Sequence, residues 1–119
     1  MSKYADVYLL PIAEDKVQAY KKLATMAGKV FMKNGALRYR EYVLSDPEAM
    51  GVIPFPKSLK LKPGETVIYA AVEFKSEAHR KATMKKIFAD PDLKPPEGME
   101  MPFNYKRMVY GGFKILVDL

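Results

Sequence analysis

The order in which hydrophobic periodicity switches along the chain is what most restricts its fold. Residues 4–10 alternate Tyr4/Asp6/Tyr8/Leu10 against Ala5/Val7/Leu9, the period-two pattern of a strand, and Pro11 is expected to end it. From about Glu14 the apolar residues fall at Val17, Tyr20, Ala24, Ala27 and Phe31, widened by Leu23 and Val30, and spacings of three and four put them on one side of a helix. Glu14 and Asp15 suit the positive end of its dipole, and Asn34-Gly35 provides a left-handed stop. Residues 36–44 alternate again, Leu37/Tyr39/Glu41/Val43 against Arg38/Arg40/Tyr42. Residues 65–74 are apolar on both faces, which marks a central strand. Ser76 is a natural N-cap for a second helix with the stripe Thr83, Met84, Ile87 and Phe88, ending at Asp90-Pro91. A looser segment, 92–104, leads through Pro96 and Pro102 into a terminal strand.

The resulting order, β-α-β-β-α-β, is a split pair of β-α-β units. It closes as a four-stranded antiparallel sheet, and right-handed crossovers put both helices on one face. The expectation is an α+β, ferredoxin-like fold in one domain spanning 1–119. Two features stand outside the regular elements. Residues 47–64 hold four prolines and two glycines without a sustained period, a long excursion with a short extended piece expected at 58–61. Gly111-Gly112 interrupts the last strand, where a glycine pair marks a bulge or a close approach by backbone or ligand. In the expected register Gly111 faces the helices and Gly112 the opposite side.

One sheet face is therefore left uncovered. If Ala5/Val7/Leu9, Ile68/Ala70/Val72 and Val109/Phe113/Ile115 meet the helices, the bare face carries Tyr8, Leu10, Tyr42, Val67, Tyr69, Ala71, Met108, Tyr110 and Leu116. That is more apolar surface than a monomer usually exposes, and a second copy packed sheet to sheet is the economical cover. Asp6, Glu73, Arg38, Arg40 and Lys114 are expected among those positions, a mixture suited to lining a cavity. A small organic molecule held between the two sheets follows, with Tyr8, Arg38, Arg40, Tyr42, Tyr69, Tyr110 and Gly112 as ligand-binding residues. Glu73, Asp6 or His79 would supply a base, and the arginines and tyrosines the donors for an oxyanion. His79, in the first turn of the second helix, also suits a capping role.

Composition closes several other routes. There is no cysteine and a single histidine, so neither a disulfide framework nor a cysteine or multi-histidine metal site is available. No cofactor and no metal are expected. The first ten residues carry charge at Lys3 and Asp6 and only a short apolar run, which fits neither a signal peptide nor a membrane span, so a cytoplasmic location is expected. The net charge of +6 suits anionic partners, but the lysines are dispersed. RNA binding through the open face is the alternative suggested by the fold, with Tyr8 and Tyr69 as stacking platforms. A third platform is replaced by Ala71, which argues against a nucleic-acid partner.

Several runs together carry a resemblance. Gly35-Ala-Leu-Arg-Tyr-Arg-Glu41, Ser76-Glu-Ala-His-Arg80, Ala89-Asp-Pro-Asp-Leu93 and above all Met101-Pro-Phe-Asn-Tyr-Lys-Arg-Met-Val-Tyr-Gly-Gly-Phe113 resemble the small bacterial YbaA-like proteins. The resemblance implies a dimeric α+β barrel, an architecture shared with cofactor-free monooxygenases, haem-degrading monooxygenases and isomerases. It implies no particular activity. The pocket of the haem-degrading branch contains tryptophan, and this chain has none, so haem is not expected.

Overall fold

The structure is a computed structural model that describes residues 2–94, 97–98 and 100–119; Pro96, expected on the approach to the last strand, lies outside them. The elements are β1 (Tyr4–Ala13), α1 (Val17–Lys33), β2 (Arg38–Val43), a four-residue helix α2 (Phe55–Ser58), β3 (Glu65–Phe74), α3 (Glu77–Ala89) and β4 (Val109–Lys114). Single 3-10 turns precede α1 and follow α3, and a third, Tyr105–Arg107, introduces β4. The strands form one antiparallel sheet in the order β2-β3-β1-β4, consistent with the ferredoxin-like expectation. No helix among the described residues is long and apolar enough to cross a membrane.

Most element ends follow local chemistry. Gly35 adopts φ +113°, and the amides of Gly35 and Ala36 return to the carbonyls of Met32 and Phe31 at 3.2 and 3.1 Å, closing α1 as Asn34-Gly35 predicts. Ser76 Oγ accepts from the His79 amide at 3.1 Å, the expected N-cap of α3. Pro11 does not end β1, which runs on to Ala13, paired through Pro11↔Val67 and Ala13↔Glu65. Beyond Leu9 it pairs with β3 alone, so β1 is by then an edge strand, where proline is tolerated. The extended piece expected at 58–61 is instead the last residue of α2 and the turn after it, and Phe88 stands 73 % exposed rather than in the α3 stripe.

The face toward the helices differs from expectation in two strands. Leu10, Ile12 and Ile68 pack with Val17 and Tyr20 of α1, while Val72 and Phe74 pack with Phe31 and Met84. The register then assigns Tyr4, Asp6, Tyr8, Tyr110, Gly112 and Lys114 to the helix face as well. β3 and β2 face as predicted, but β1 and β4 are turned over by one residue, which moves every side chain to the other side. The bare face consists of three rows across the sheet: Tyr42, Tyr69, Leu9 and Val109; Arg40, Ala71, Val7 and Gly111; Arg38, Glu73, Ala5 and Phe113. Leu10, Met108 and Leu116, expected in this surface, are not part of those rows, and Leu10 is core. The loop after β2 folds Phe55 over the Val67 end of the face and leaves Met50, Val52 and Ile53 largely exposed.

Candidate functional site

The helix-facing layer of the sheet carries a polar band, with a carboxylate near each end. Glu41 projects from β2 beneath α1. Tyr20, from the second turn of α1, donates its hydroxyl to Glu41 Oε1, and Tyr39, two residues back on the same strand face, donates to Oε2. Burial, reinforced by the Glu41 charge, pushes both phenols well above the ordinary tyrosine range, so they remain donors at any physiological pH. The Tyr39 ring lies under Gly28 of α1 and against Phe31, with ring centres 5.4 Å apart. A Cβ on Gly28 would stand 2.8 and 2.9 Å from two ring carbons, so the helix needs a glycine there for the ring to lie where it does.

Two cavities meet at this carboxylate. The larger, about 980 Å³, is an open groove between α1 and β2, with Tyr20, Tyr39 and Glu41 on its floor, Val17, Ala24, Met32, Val43 and Ile68 as apolar wall, and Lys21, Lys29 and Lys33 at its margin. The smaller, about 330 Å³, approaches the same three polar residues from the other flank of α1, between Leu23 and Ala27 and the segment carrying Leu93, Met101 and Phe103. An acidic group with two fixed donors, opening into an otherwise apolar space, is the arrangement of a ligand pocket.

Toward the other end, Asp6 is fully buried in β1 and accepts from Arg80 Nε of α3 at 2.9 Å and from the Tyr110 hydroxyl of β4 at 2.8 Å. Tyr8 lies beside Tyr110, ring centres 5.0 Å apart. Desolvation first, and then the Asp6 charge, raise the Tyr8 phenol; desolvation followed by the hydrogen bond to Asp6 raises Tyr110. The Tyr4 hydroxyl sits over Gly112, where any side chain would overlap it, and the Tyr110 hydroxyl would be 3.2 Å away. The glycine pair was expected to admit backbone or a ligand; what approaches Gly112 is instead a tyrosine side chain of the same chain, on the helix side. Gly111, on the bare face, is covered by the Phe113 ring.

The residues singled out from sequence thus fall into three groups. Asp6, Tyr8, Tyr110 and Gly112 come together, on the face opposite the one expected. Arg38, Arg40, Tyr42, Tyr69 and Glu73 share the bare face, with Tyr42 and Tyr69 in contact at 5.4 Å and Arg38 opposite Glu73 in register. His79 is apart from both, its Nδ1 accepting from the Lys75 amide at 3.0 Å and its ring edge-on to Phe74. With Tyr8 under the helices, the stacking platform proposed for RNA keeps only Tyr69 of its two members. Sequence reasoning missed Glu41, Tyr20, Tyr39 and Arg80. Glu41 stood in the set Leu37/Tyr39/Glu41/Val43, an acid on an otherwise apolar strand face, and Arg80 extends the Thr83/Met84/Ile87 stripe by one turn; both signals were present.

Comparison with known proteins completes the description. YbaA of Escherichia coli strain K12, described as an uncharacterized protein, is 36 % identical over 116 residues, covering 98 % of either chain, and the Shigella flexneri protein of the same name matches to the same extent. Among solved structures, the de novo designed protein Foldit4 aligns over 98 % of this chain and 99 % of its own at 8 % identity, with a TM-score of 0.43. Residues 3–105 match the model of a protein family of unknown function, DUF1428, and the chain belongs to that family.

Proposed function

We propose that the chain is a single-domain cytoplasmic protein, acting as the protomer of a homodimer, and that it binds a small organic molecule in the groove between α1 and β2, where Glu41 exchanges a proton with it. The observation that carries this reading is the Glu41 carboxylate held by Tyr20 and Tyr39 on the floor of an apolar cavity of about 980 Å³. A carboxylate so placed removes a proton from carbon beside a carbonyl. As it becomes protonated it needs its two donors less, and either phenol is released to the developing oxyanion. Returning the proton to the neighbouring carbon completes an isomerisation without a cofactor; a cofactor-free oxygenase would pass the same carbanion to dioxygen. The ligand is assigned here rather than between two sheets because Tyr8, Tyr110 and Gly112 turn away from the bare face.

The dimer is proposed on the bare face itself. Tyr42, Tyr69, Val109 and Phe113 are 37–55 % exposed in three rows otherwise made of small or apolar residues, with Arg38, Arg40 and Glu73 at the margin. Thermal-shift screening with phenols, quinones and small keto acids, followed by Glu41→Gln and Tyr39→Phe, tests the pocket. A hit whose stabilisation disappears in Glu41→Gln is expected. A screen without hits, or hits indifferent to both substitutions, would leave a ligand-free structural dimer. Light scattering tests the dimer, and a 13.5 kDa particle at micromolar concentration refutes it.

A further inference from the structure

Beyond β4 the chain continues as an apolar segment with almost nothing to hold it. Ile115 is fixed by its amide to the Lys3 carbonyl at 3.0 Å, after which Leu116, Val117 and Leu119 stand 95 %, 69 % and 115 % exposed. Among the described residues its remaining polar tie is the exposed ion pair between Asp118 and Lys3 at 3.1 Å. At the opposite edge of the sheet, β2 pairs with β3 alone, and Tyr42 and Val43, 47 % and 52 % exposed, line the large groove where it opens. An apolar segment without a surface and an open strand edge without a cover sit at opposite edges of one sheet. Three strand spacings, about 14 Å, separate β4 from β2 within a protomer.

A two-fold axis between two facing sheets, directed along the strands, carries the β4 edge of one protomer over the β2 edge of the other. The separation then falls to one sheet spacing, about 10 Å. We infer that residues 115–119 of each protomer dock against the β2 edge of its partner, so that Leu116, Val117 and Leu119 close the open side of the partner's Glu41 groove. Charge agrees with this occupant: Asp118 arrives at a strand edge bearing the exposed Arg38 and Arg40. The inference rests on the homodimer reading and adds that each pocket is completed by the other chain. It gives the exposed apolar residues a buried position, and it explains how a groove so open would exclude water from its carboxylate.

The test uses the full chain with p-benzoylphenylalanine at position 117, prepared as a mixture of nitrogen-15-labelled and unlabelled protein, irradiated and read by mass spectrometry. Cross-links joining a heavy to a light chain at residues 38–43 are expected, and Leu116→Asp is expected to weaken dimerisation at least tenfold by light scattering. Cross-links confined to one chain, cross-links outside β2, or a dimer unaffected by Leu116→Asp would overturn the inference while leaving the homodimer standing. A 13.5 kDa particle at every concentration would remove both.

Discussion

Replacing Gly28 by alanine sets two effects of similar size against each other, and the sign of the outcome reports on the Glu41 site. In the interior of α1, Gly→Ala contributes about 1 kcal/mol of helix propensity. Against this, the new methyl carbon would lie 2.8–2.9 Å from the Tyr39 ring, which must retreat by roughly half an ångström to restore ordinary contact. The ring has little room: Phe31 packs against it at 5.4 Å between centres, and its hydroxyl is tied to Glu41. Overpacking of this kind costs about 1–3 kcal/mol, so a net loss of about 1 kcal/mol is expected, or about 4 °C in melting temperature for a chain of this size. Urea denaturation followed by circular dichroism measures the stability, and absorbance at 295 nm during alkaline titration shows whether a tyrosine has left its carboxylate. A Gly28→Ala protein that is about 1 kcal/mol more stable, with an unchanged tyrosine titration, would refute the account of Tyr39 as a ring wedged beneath the helix.

Arg80→Met leaves the buried Asp6 with Tyr110 alone, and by denaturation this should cost about 3 kcal/mol, part of which Asp6→Leu in the same protein should recover. Gly112→Val should dislodge Tyr4 and destabilise the monomer by about 1–3 kcal/mol, whereas Gly111→Val meets only Phe113 and should change light-scattering mass more than melting temperature. The Lys33 ammonium, with Asn34, holds the Asp90 carboxyl down to about 2. A lowered folded pKa means that its stabilisation is complete above the ordinary carboxylate range and is lost as pH falls toward 2; Asp90→Asn should flatten that part of the acid titration. Tyr20, Tyr39 and Tyr110 are shifted the other way, so unfolded chains give up those protons first, and stability should decline as pH rises past about 10.

Periodicity in the sequence exposed the elements more readily than their facing. The α1 stripe, the Ser76 cap and the Gly35 stop are local signals, and each is found where its residues call for it. The facing of β1 was obscured because Ala5/Val7/Leu9 looks like a core set, while the set that is buried contains a carboxylate. Asp6 is tolerable there because Arg80, 74 residues away, and Tyr110, 104 residues away, converge on it, and no local pattern announces partners at such separations. The same holds for Glu41, whose position on the apolar strand face was legible but whose second donor, Tyr20, arrives from α1. β4 then inherited the error, because the facing assumed for Gly111 and Gly112 was set against the other strands.

β4 is joined along one side only, to β1 through six paired positions, and five of its six residues are exposed. A strand held this way opens at a smaller free energy than the core strands, and its amides should exchange with solvent before those of β3, without global unfolding. Tyr110 is carried on that strand, so each such opening removes one of the two donors on Asp6 and admits water to a carboxylate that is otherwise sealed. Opening of β4 should therefore be written in the exchange rates of the alternate β4 amides that bond to β1, and Asp6 should meet bulk solvent on that clock rather than on the clock of unfolding.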